Sequence, residues 1–351
     1  MAARPQATRL LRWFDRTQRD LPWRKNRDPW PIWVSEIMLQ QTRVEAVREP
    51  FARFLTRYPT PTAFAKASDD EVMVAWRGLG YYRRARLLRD GARRVVEAHD
   101  GVVPDTLDEL GALPGVGPYT LGAIASIAFG HPEPAVDGNV ERVVSRHRGF
   151  DEPIGTSKAR GPIREVIHAW MSKARAGDFN QALMELGATV CTPTSPRCAD
   201  CPIAKDCVAL ATDRTAELPK KKAPKKAVEV HSRAVVVTRR GRASGGEALG
   251  YRIPADQPNA GQIELPGPGV LVDCDPDDLG AAIQKRFGAV LAVADATASV
   301  RHAITHHRIT LHGHPAKVRR KGQLEWFSLA PETPWTTPSR KVFSKSNTLE
   351  A

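Results

Sequence analysis

Residues 191 to 207 read CTPTSPRCADCPIAKDC, which gathers four of the chain's five cysteines into one short segment and leaves only Cys274 elsewhere. Such a segment has few ways to fold, because loops this short pack around thiols only when something joins the sulfurs. The start, MAARPQATRLLRWFDRTQRD, has no apolar run long enough for a signal peptide, and no later stretch approaches a membrane span. A cytoplasmic compartment is therefore expected. Thiols stay reduced there, so the segment reads as metal ligation rather than as disulfides. The spacing C-x6-C-x2-C-x5-C offers Cys191, Cys198, Cys201 and Cys207 either to one tetrahedral zinc or to a cubane iron-sulfur cluster. Zinc sites more often carry two close C-x2-C pairs, so the single pair leans toward iron-sulfur. A redox-silent staple is the plainer role, with Arg197 and Lys205 in its loops placed to meet a phosphate backbone.

At 351 residues and 42% hydrophobic content the chain can fill two or three domain cores. Its net charge of +13 favours a polyanionic partner. From Thr8 to about Leu210 apolar residues recur at helical spacing, broken by Pro and Gly signals. Within Pro31 to Val47, the residues Trp33, Ile37, Val44 and Val47 fall on one predicted helical stripe that Gln40 completes. Residues 215–229, with TAELPKKKAPKKAVE, read as a solvated Lys/Pro-rich linker between a helical region, 1–214, and an α+β region, 230–351. In the latter, HSRAVVVTRR predicts a strand and DDLGAAIQKRF a helix, while GVLVDC and HRITLHGHPAKV are short apolar pieces among turns.

LPGVGPYT, residues 113–120, lies between two helical patterns. Gly115 and Gly117 allow a tight turn, and the amides opening the next helix make a seat for a DNA phosphate, although a lone G-x-G is equally well a plain turn. In PAVDGNVERVVSR, Asp137 stands at a predicted helix N-terminus, where free amides keep a carboxylate ionised; simple capping would explain it. Glu36, in WVSEIMLQQTRVEAV, flanks the apolar stripe, where desolvation raises its pKa; otherwise it is an ordinary half-exposed helical Glu. One carboxyl kept protonated beside another kept ionised is what glycosidic cleavage through an oxocarbenium-like transition state requires.

Taken in order, LPWR, WVSEIMLQQTRVE, GLGYYRRAR, LPGVGPYT, AVDGNVERV, FNQALMELGA and the four-cysteine loop resemble the adenine DNA glycosylases of the MutY type, in the helix-hairpin-helix, endonuclease III-like superfamily. The resemblance covers nearly all of residues 8–210. It implies a two-lobed helical catalytic region with a 4Fe-4S cluster, acting as a monomer on double-stranded DNA that holds adenine opposite 8-oxoguanine or guanine. Position by position, it makes Glu36 the acid that protonates adenine and Asp137 the carboxylate that stabilises the sugar cation. Tyr119 and Asn139 then support that carboxylate, Arg24 and Glu185 lie near the adenine pocket, and Gln41 and Tyr81 wedge into the duplex. Strand-cutting relatives carry lysine at the Tyr119 position and Asp-Thr-His where this chain has Asp137-Gly138-Asn139, so the resemblance implies a monofunctional enzyme.

The C-terminal region resembles, more loosely, the Nudix-like domain that this family uses to recognise 8-oxoguanine, through QIELPG, HAITHHR, LEWFSL and TPSRKVF. No glutamate lies between Pro266 and Val290, so the magnesium box of a Nudix hydrolase is missing. A Phe-Ser-His lesion loop corresponds here to Ile304, Thr305 and His306; Thr keeps the hydroxyl, but Ile cannot stack as Phe does. Three rival readings remain: a bifunctional glycosylase/lyase, a non-catalytic iron-sulfur DNA-binding protein, and a Nudix hydrolase with a helical appendage.

Overall fold

The computed structural model describes residues 5–222, 226–241, 246–254, 257, 259–331 and 333–346. It divides into two compact units, one made of 1–67, 75–80 and 84–223, the other of 68–74, 81–83 and 224–351. Of the expected linker, residues 223–225 lie outside the described residues. The part before them is not a free tether. Leu218 is buried and its carbonyl accepts from Arg146 Nε at 2.7 Å, while the Lys220 carbonyl accepts from the Ile154 amide at 3.0 Å. After them, Val228 already begins a strand.

The first unit is helical. Helix α1 (Pro5–Thr17) buries Leu10 and Phe14; α2 (Pro29–Leu39) starts where the Asp28 side chain accepts from the Trp30 amide at 3.0 Å. Apart from its first residues α2 is buried all round, so Glu36 sits inside packed protein rather than beside an exposed stripe. The single stripe expected from Pro31 to Val47 is broken: α2 stops at Leu39 and α3 (Val44–Arg57) begins afresh. The cause is Arg84. Its guanidinium donates to the carbonyls of Ile37 (2.7 Å), Met38 (3.0 Å), Leu79 (3.0 Å) and Gln40. Those of Ile37, Met38 and Gln40 are carbonyls that the end of α2 leaves unpaired, and satisfying them from outside releases the chain to turn at Gln41, which has φ 56°.

Thr106 caps α4 (Leu107–Gly111) in a reciprocal box, accepting from the Glu109 amide at 3.3 Å and donating to Glu109 Oε2 at 2.6 Å. A turn at Gly115 then leads to α5 (Pro118–Ile127). Gly115 has φ 80°, and a Cβ there would lie 2.9 Å from that of Leu87, so the turn needs glycine on both counts. Gly117, expected to share that need, has an extended backbone with φ −92° that any residue adopts. Helices α6 (Gly138–Arg148) and α7 (Ala176–Thr189) complete the site's frame. Val140, Val143 and Val144 of α6 pack with Phe179, Leu183 and Leu186 of α7 and with Leu10 and Phe14 of α1. Close approach of α7 to the start of α6 depends on Gly187, where a Cβ would meet that of Asn139 at 2.6 Å.

The second unit is α+β. Its strands are β1 (Val228–Val236), β2 (Thr238–Arg239), β3 (Glu247–Arg252), β4 (Ile263–Glu264), β5 (Val290–Val293), β6 (Ala298–Ile304), β7 (His307–Arg320) and β8 (Glu325–Ser328). Strand β7 pairs in parallel with β1 and antiparallel with β5 and β6, while β3 pairs antiparallel with β2, β4 and β8. Period-two alternation along the chain from Ala234 to Val237, just past the end of β1, sends Ala234 and Val236 to one core and Val235 and Val237 to another. Helix α8 (Leu279–Phe287) covers the second core and α9 (Thr337–Lys345) the first. GVLVDC, read as an apolar piece, forms turns rather than a strand, and the terminal TPSRKVF is helical.

Candidate active site and cysteine cavity

A cleft of about 800 Å³ in the helical unit collects most of the residues singled out in the sequence: Arg24, Glu36, Gln41, Gly115, Gly117, Tyr119, Asp137, Asn139 and Glu185. Glu36 comes from the buried face of α2 and is 5% exposed. Burial pushes its pKa up to about 7; the charge of Asp137 adds to this, while the Tyr119 hydroxyl and Arg24 pull the other way. Tyr119, in the first turn of α5, donates to Glu36 Oε2 at 2.5 Å and lies 3.4 Å from Met184 Sδ. The resemblance places Tyr119 on the side of the second carboxylate, yet its hydroxyl bonds to the first. Burial and the flanking charges of Glu36 and Asp137 hold that hydroxyl well above the usual tyrosine range, so it stays a donor.

Asp137 is the N-cap of α6. Its Oδ1 accepts from the Val140 amide at 2.8 Å and its Oδ2 from Asn139 Nδ2 at 2.7 Å. Burial raises its pKa as well, and Val140, Asn139 and Arg142 oppose that rise. Both oxygens accepting is the pattern of an anion. Arg142, three residues beyond Asn139 and so one helical turn away, was missed from sequence although that spacing signals it. Its Nη2 donates to Asn139 Oδ1 and to the Gly187 carbonyl, both at 2.8 Å, and its Nε to the Cys191 carbonyl at 2.8 Å. One guanidinium thus orients the neighbour of Asp137 and ties it to the first cysteine.

Arg24 and Glu185 meet directly, Nη2 to Oε2 at 2.8 Å. Arg19 joins them with Nε on Oε1 at 2.7 Å and Nη2 on Oε2 at 2.9 Å, and Arg24 Nε reaches Gln181 at 3.1 Å. Glu185 is 1% exposed; burial alone would raise its pKa, but the two guanidinium groups outweigh that and hold it low. Gln181 was findable as the residue one turn before Glu185 on α7, whereas Arg19 lies in an irregular segment that no periodicity flags. We expect Glu185→Gln, which keeps the shape and removes the anion between two cations, to lose about 3 kcal/mol in urea unfolding. A change below the noise of that measurement would show that the ion triad does not stabilise the fold.

Gln41 is exposed at the cleft's edge in its left-handed turn. Tyr81, in the segment that clusters with the second unit, is 55% exposed with φ 48°. Thr305 and His306 are the two-residue tip of the β6–β7 hairpin, bracketed by the Ile304–His307 pair, and Thr305 has φ 53°. A β-branched residue in that region is strained.

Cys191, Cys198, Cys201 and Cys207 are all free thiols lining one second cavity, floored by Val143, Arg146 and His147 of α6. Among the described residues, no three of His, Cys, Asp or Glu converge closely enough to hold a single ion. Burial pushes the Cys201 thiol up to about 12, and the neighbouring sulfurs push the same way, so four thiolates could coexist there only around a cationic centre. His147 is 2% exposed, and burial lowers its pKa to about 4, which leaves the ring neutral.

No helix among the described residues is long and apolar enough to cross a membrane. Residues 34–168 match the HhH-GPD superfamily base excision DNA repair protein family. The chain is 48% identical over 207 residues to a rat adenine DNA glycosylase, covering 56% of this chain and 40% of that one. It is 44% identical over 197 residues to a Mycobacterium tuberculosis adenine DNA glycosylase, covering 56% and 65%. It therefore spans less than half the length of the rat relative. A thermostable thymine-DNA glycosylase superposes with a TM-score of 0.54 at 29% identity, over 59% of this chain and 95% of that one. With its two carboxylates on one helical cleft, the chain carries over residues 34–168 a region that matches the HhH-GPD superfamily of base excision DNA repair proteins.

Proposed function

We propose that this protein is a monofunctional adenine DNA glycosylase that excises adenine mispaired with 8-oxoguanine or guanine. The observation that carries the reading is the pairing, across one cleft, of a carboxyl held near pKa 7 with a carboxylate bonded as an anion. A base stacked in duplex is out of reach of either, so it must be extruded at a cost of a few kcal/mol. Gln41 and Tyr81, both exposed and in left-handed turns, are the residues we assign to the wedge. Gly117 and Gly138 have open space where a Cβ would stand, which leaves the helix amides beside them accessible to phosphate.

In this mechanism Glu36 protonates the adenine ring as the glycosidic bond breaks. Tyr119 donates into Oε2, which leaves Oε1 for the transferable proton. Asp137, held in register by Val140 and Asn139, stabilises the developing sugar cation until water adds to the sugar carbon and loses a proton, leaving a hydroxyl there. The Arg24–Glu185–Arg19 triad fixes the opposite wall of the pocket. With Tyr119 where strand-cutting enzymes need an amine, the product is an abasic site, and borohydride trapping gives no covalent adduct.

Cys191, Cys198, Cys201 and Cys207 would hold a 4Fe-4S cluster. Four thiols lining one cavity supply the ligand set that a cubane takes. Bound there, the cluster supplies a redox-capable structural anchor for the loop. The α+β unit we assign as Nudix-like, with the strained Thr305 and its neighbour His306 as the residues that recognise the base opposite adenine. The protein acts as a monomer on double-stranded DNA.

Incubation with duplexes holding adenine opposite 8-oxoguanine, guanine or thymine, and with one holding thymine opposite guanine, followed by alkaline cleavage, tests the assignment. Release of adenine opposite the two purines is expected. Release of thymine opposite guanine instead would transfer the chain to the specificity named for its structural neighbour.

A further inference from the structure

Arg146 is a buried cation with no carboxylate to answer it. It stands on α6, lines the cysteine cavity and is 2% exposed. Its guanidinium donates to the carbonyls of Leu218 (2.7 Å), Thr192 (2.7 Å) and Pro193 (3.2 Å) and, through Nη1, to Cys191 Sγ at 3.4 Å. A guanidinium keeps its charge at every working pH, and taking a charge out of water is costly unless an opposite charge stands beside it. Carbonyl dipoles offset part of that cost. Among these partners the Cys191 sulfur is the one able to carry a full negative charge.

Two more of the sulfurs are placed in the same sense. Cys201 accepts from the Ile203 amide, and Cys207 from the amides of Ala209 and Leu210. Three of the four sulfurs thus face N–H donors, which favour the thiolate that a metal ligand must be. Of these donors Arg146 alone is a side chain, and it alone is charged.

We propose that Arg146 donates a charge-assisted hydrogen bond to the Cys191 thiolate of the cluster and so sets the cluster's reduction potential higher than its four cysteines would without it. The inference rests on the cluster assigned above and concerns a residue that contributes no ligand. A cation and an N–H bond at a ligand sulfur both stabilise the more electron-rich, reduced state. Arg146 is a positioning residue for the cluster's electronics, with no part in base release.

The test uses the whole holoprotein. Iron and acid-labile sulfide are measured first; their absence, or zinc in their place, overturns the cluster assignment and this proposal with it. With the cluster present, protein whose arginines carry 15N in the guanidinium, oxidised by one electron, is expected to show a nitrogen coupling in pulsed EPR, which requires no variant to fold. Arg146→Met, which keeps the length and removes the charge, is expected to abolish that coupling and to lower the potential in protein-film voltammetry by about tenfold in the one-electron equilibrium, or about 59 mV. Arg146→Lys, which keeps the cation, is expected to lose the coupling and to recover most of the potential. No coupling in the unaltered, cluster-bearing protein would overturn the hydrogen bond, even if neither variant retained a cluster. A Met variant at the wild-type potential, or Met and Lys variants shifted equally, would overturn the tuning, the latter by revealing a packing effect; both results leave the cluster assignment standing.

Discussion

Glu36→Gln is expected to bind mispaired duplex as tightly as the unaltered protein and to release adenine about a hundred- to ten-thousand-fold more slowly in a single turnover, the usual range for removal of a general acid. Gln fits the space on α2 and still accepts from Tyr119, so the 2.5 Å contact has a partner and only the transferable proton is lost. A pH profile separates this from a packing effect. The acid acts when protonated and its pKa is raised to about 7, so activity should be full well below that value and fall as pH rises through it. Stability carries the same sign. A carboxyl whose folded pKa exceeds its ordinary 4.5 contributes stability that is fully present below 4.5 and is lost as pH rises to about 7. At pH 8 the unaltered protein therefore holds a buried anion that the Gln variant lacks. Thermal unfolding should find the variant more stable there, by a few kcal/mol at most, with the gap closing toward pH 4.5. Excision at an undiminished rate, or a gap that widens in acid, would remove Glu36 from the role of acid.

What could be read from the chain beforehand was chemistry carried by short motifs. Asp137 before GNVERVV predicts an N-cap, and the cap is there with the Val140 amide at 2.8 Å. Gly115 needs its turn, and the cysteine spacing brings four sulfurs to one cavity. Distance along the chain hid the rest. The break after Leu39 is made by Arg84, whose guanidinium reaches back more than forty residues to carbonyls that periodicity treats as internally paired. Glu36 was read as flanking a stripe because apolar spacing predicts a one-sided helix, whereas α2 is packed on every side. The Tyr119 hydroxyl has two carboxylates within electrostatic reach, and only coordinates show that it bonds to Glu36.

Asp137→Asn is the second substitution with a large expected effect, and its outcome follows from counting donors. Asp137 accepts from the Val140 amide with one oxygen and from Asn139 Nδ2 with the other, while the Asn139 Oδ1 is already engaged by Arg142. Asparagine is as good a cap as aspartate, so α6 should still start where it does. Its amide, however, must point NH2 at the NH2 of Asn139, and that neighbour cannot flip without breaking its bond to Arg142. The substitution thus costs about 1–3 kcal/mol of stability through the unmade hydrogen bond. It also removes the negative charge at the position assigned to the sugar cation. Excision should fall at least a hundred- to a thousand-fold, as when one preorganised electrostatic partner is removed from a transition state. If Glu36 and Asp137 act on one transition state, the double variant should be little slower than the worse single variant, because residues working as a unit do not contribute additively. Single-turnover excision by the two single variants and the double decides this: multiplied losses would mean that the two carboxylates contribute to the transition state independently rather than as a unit.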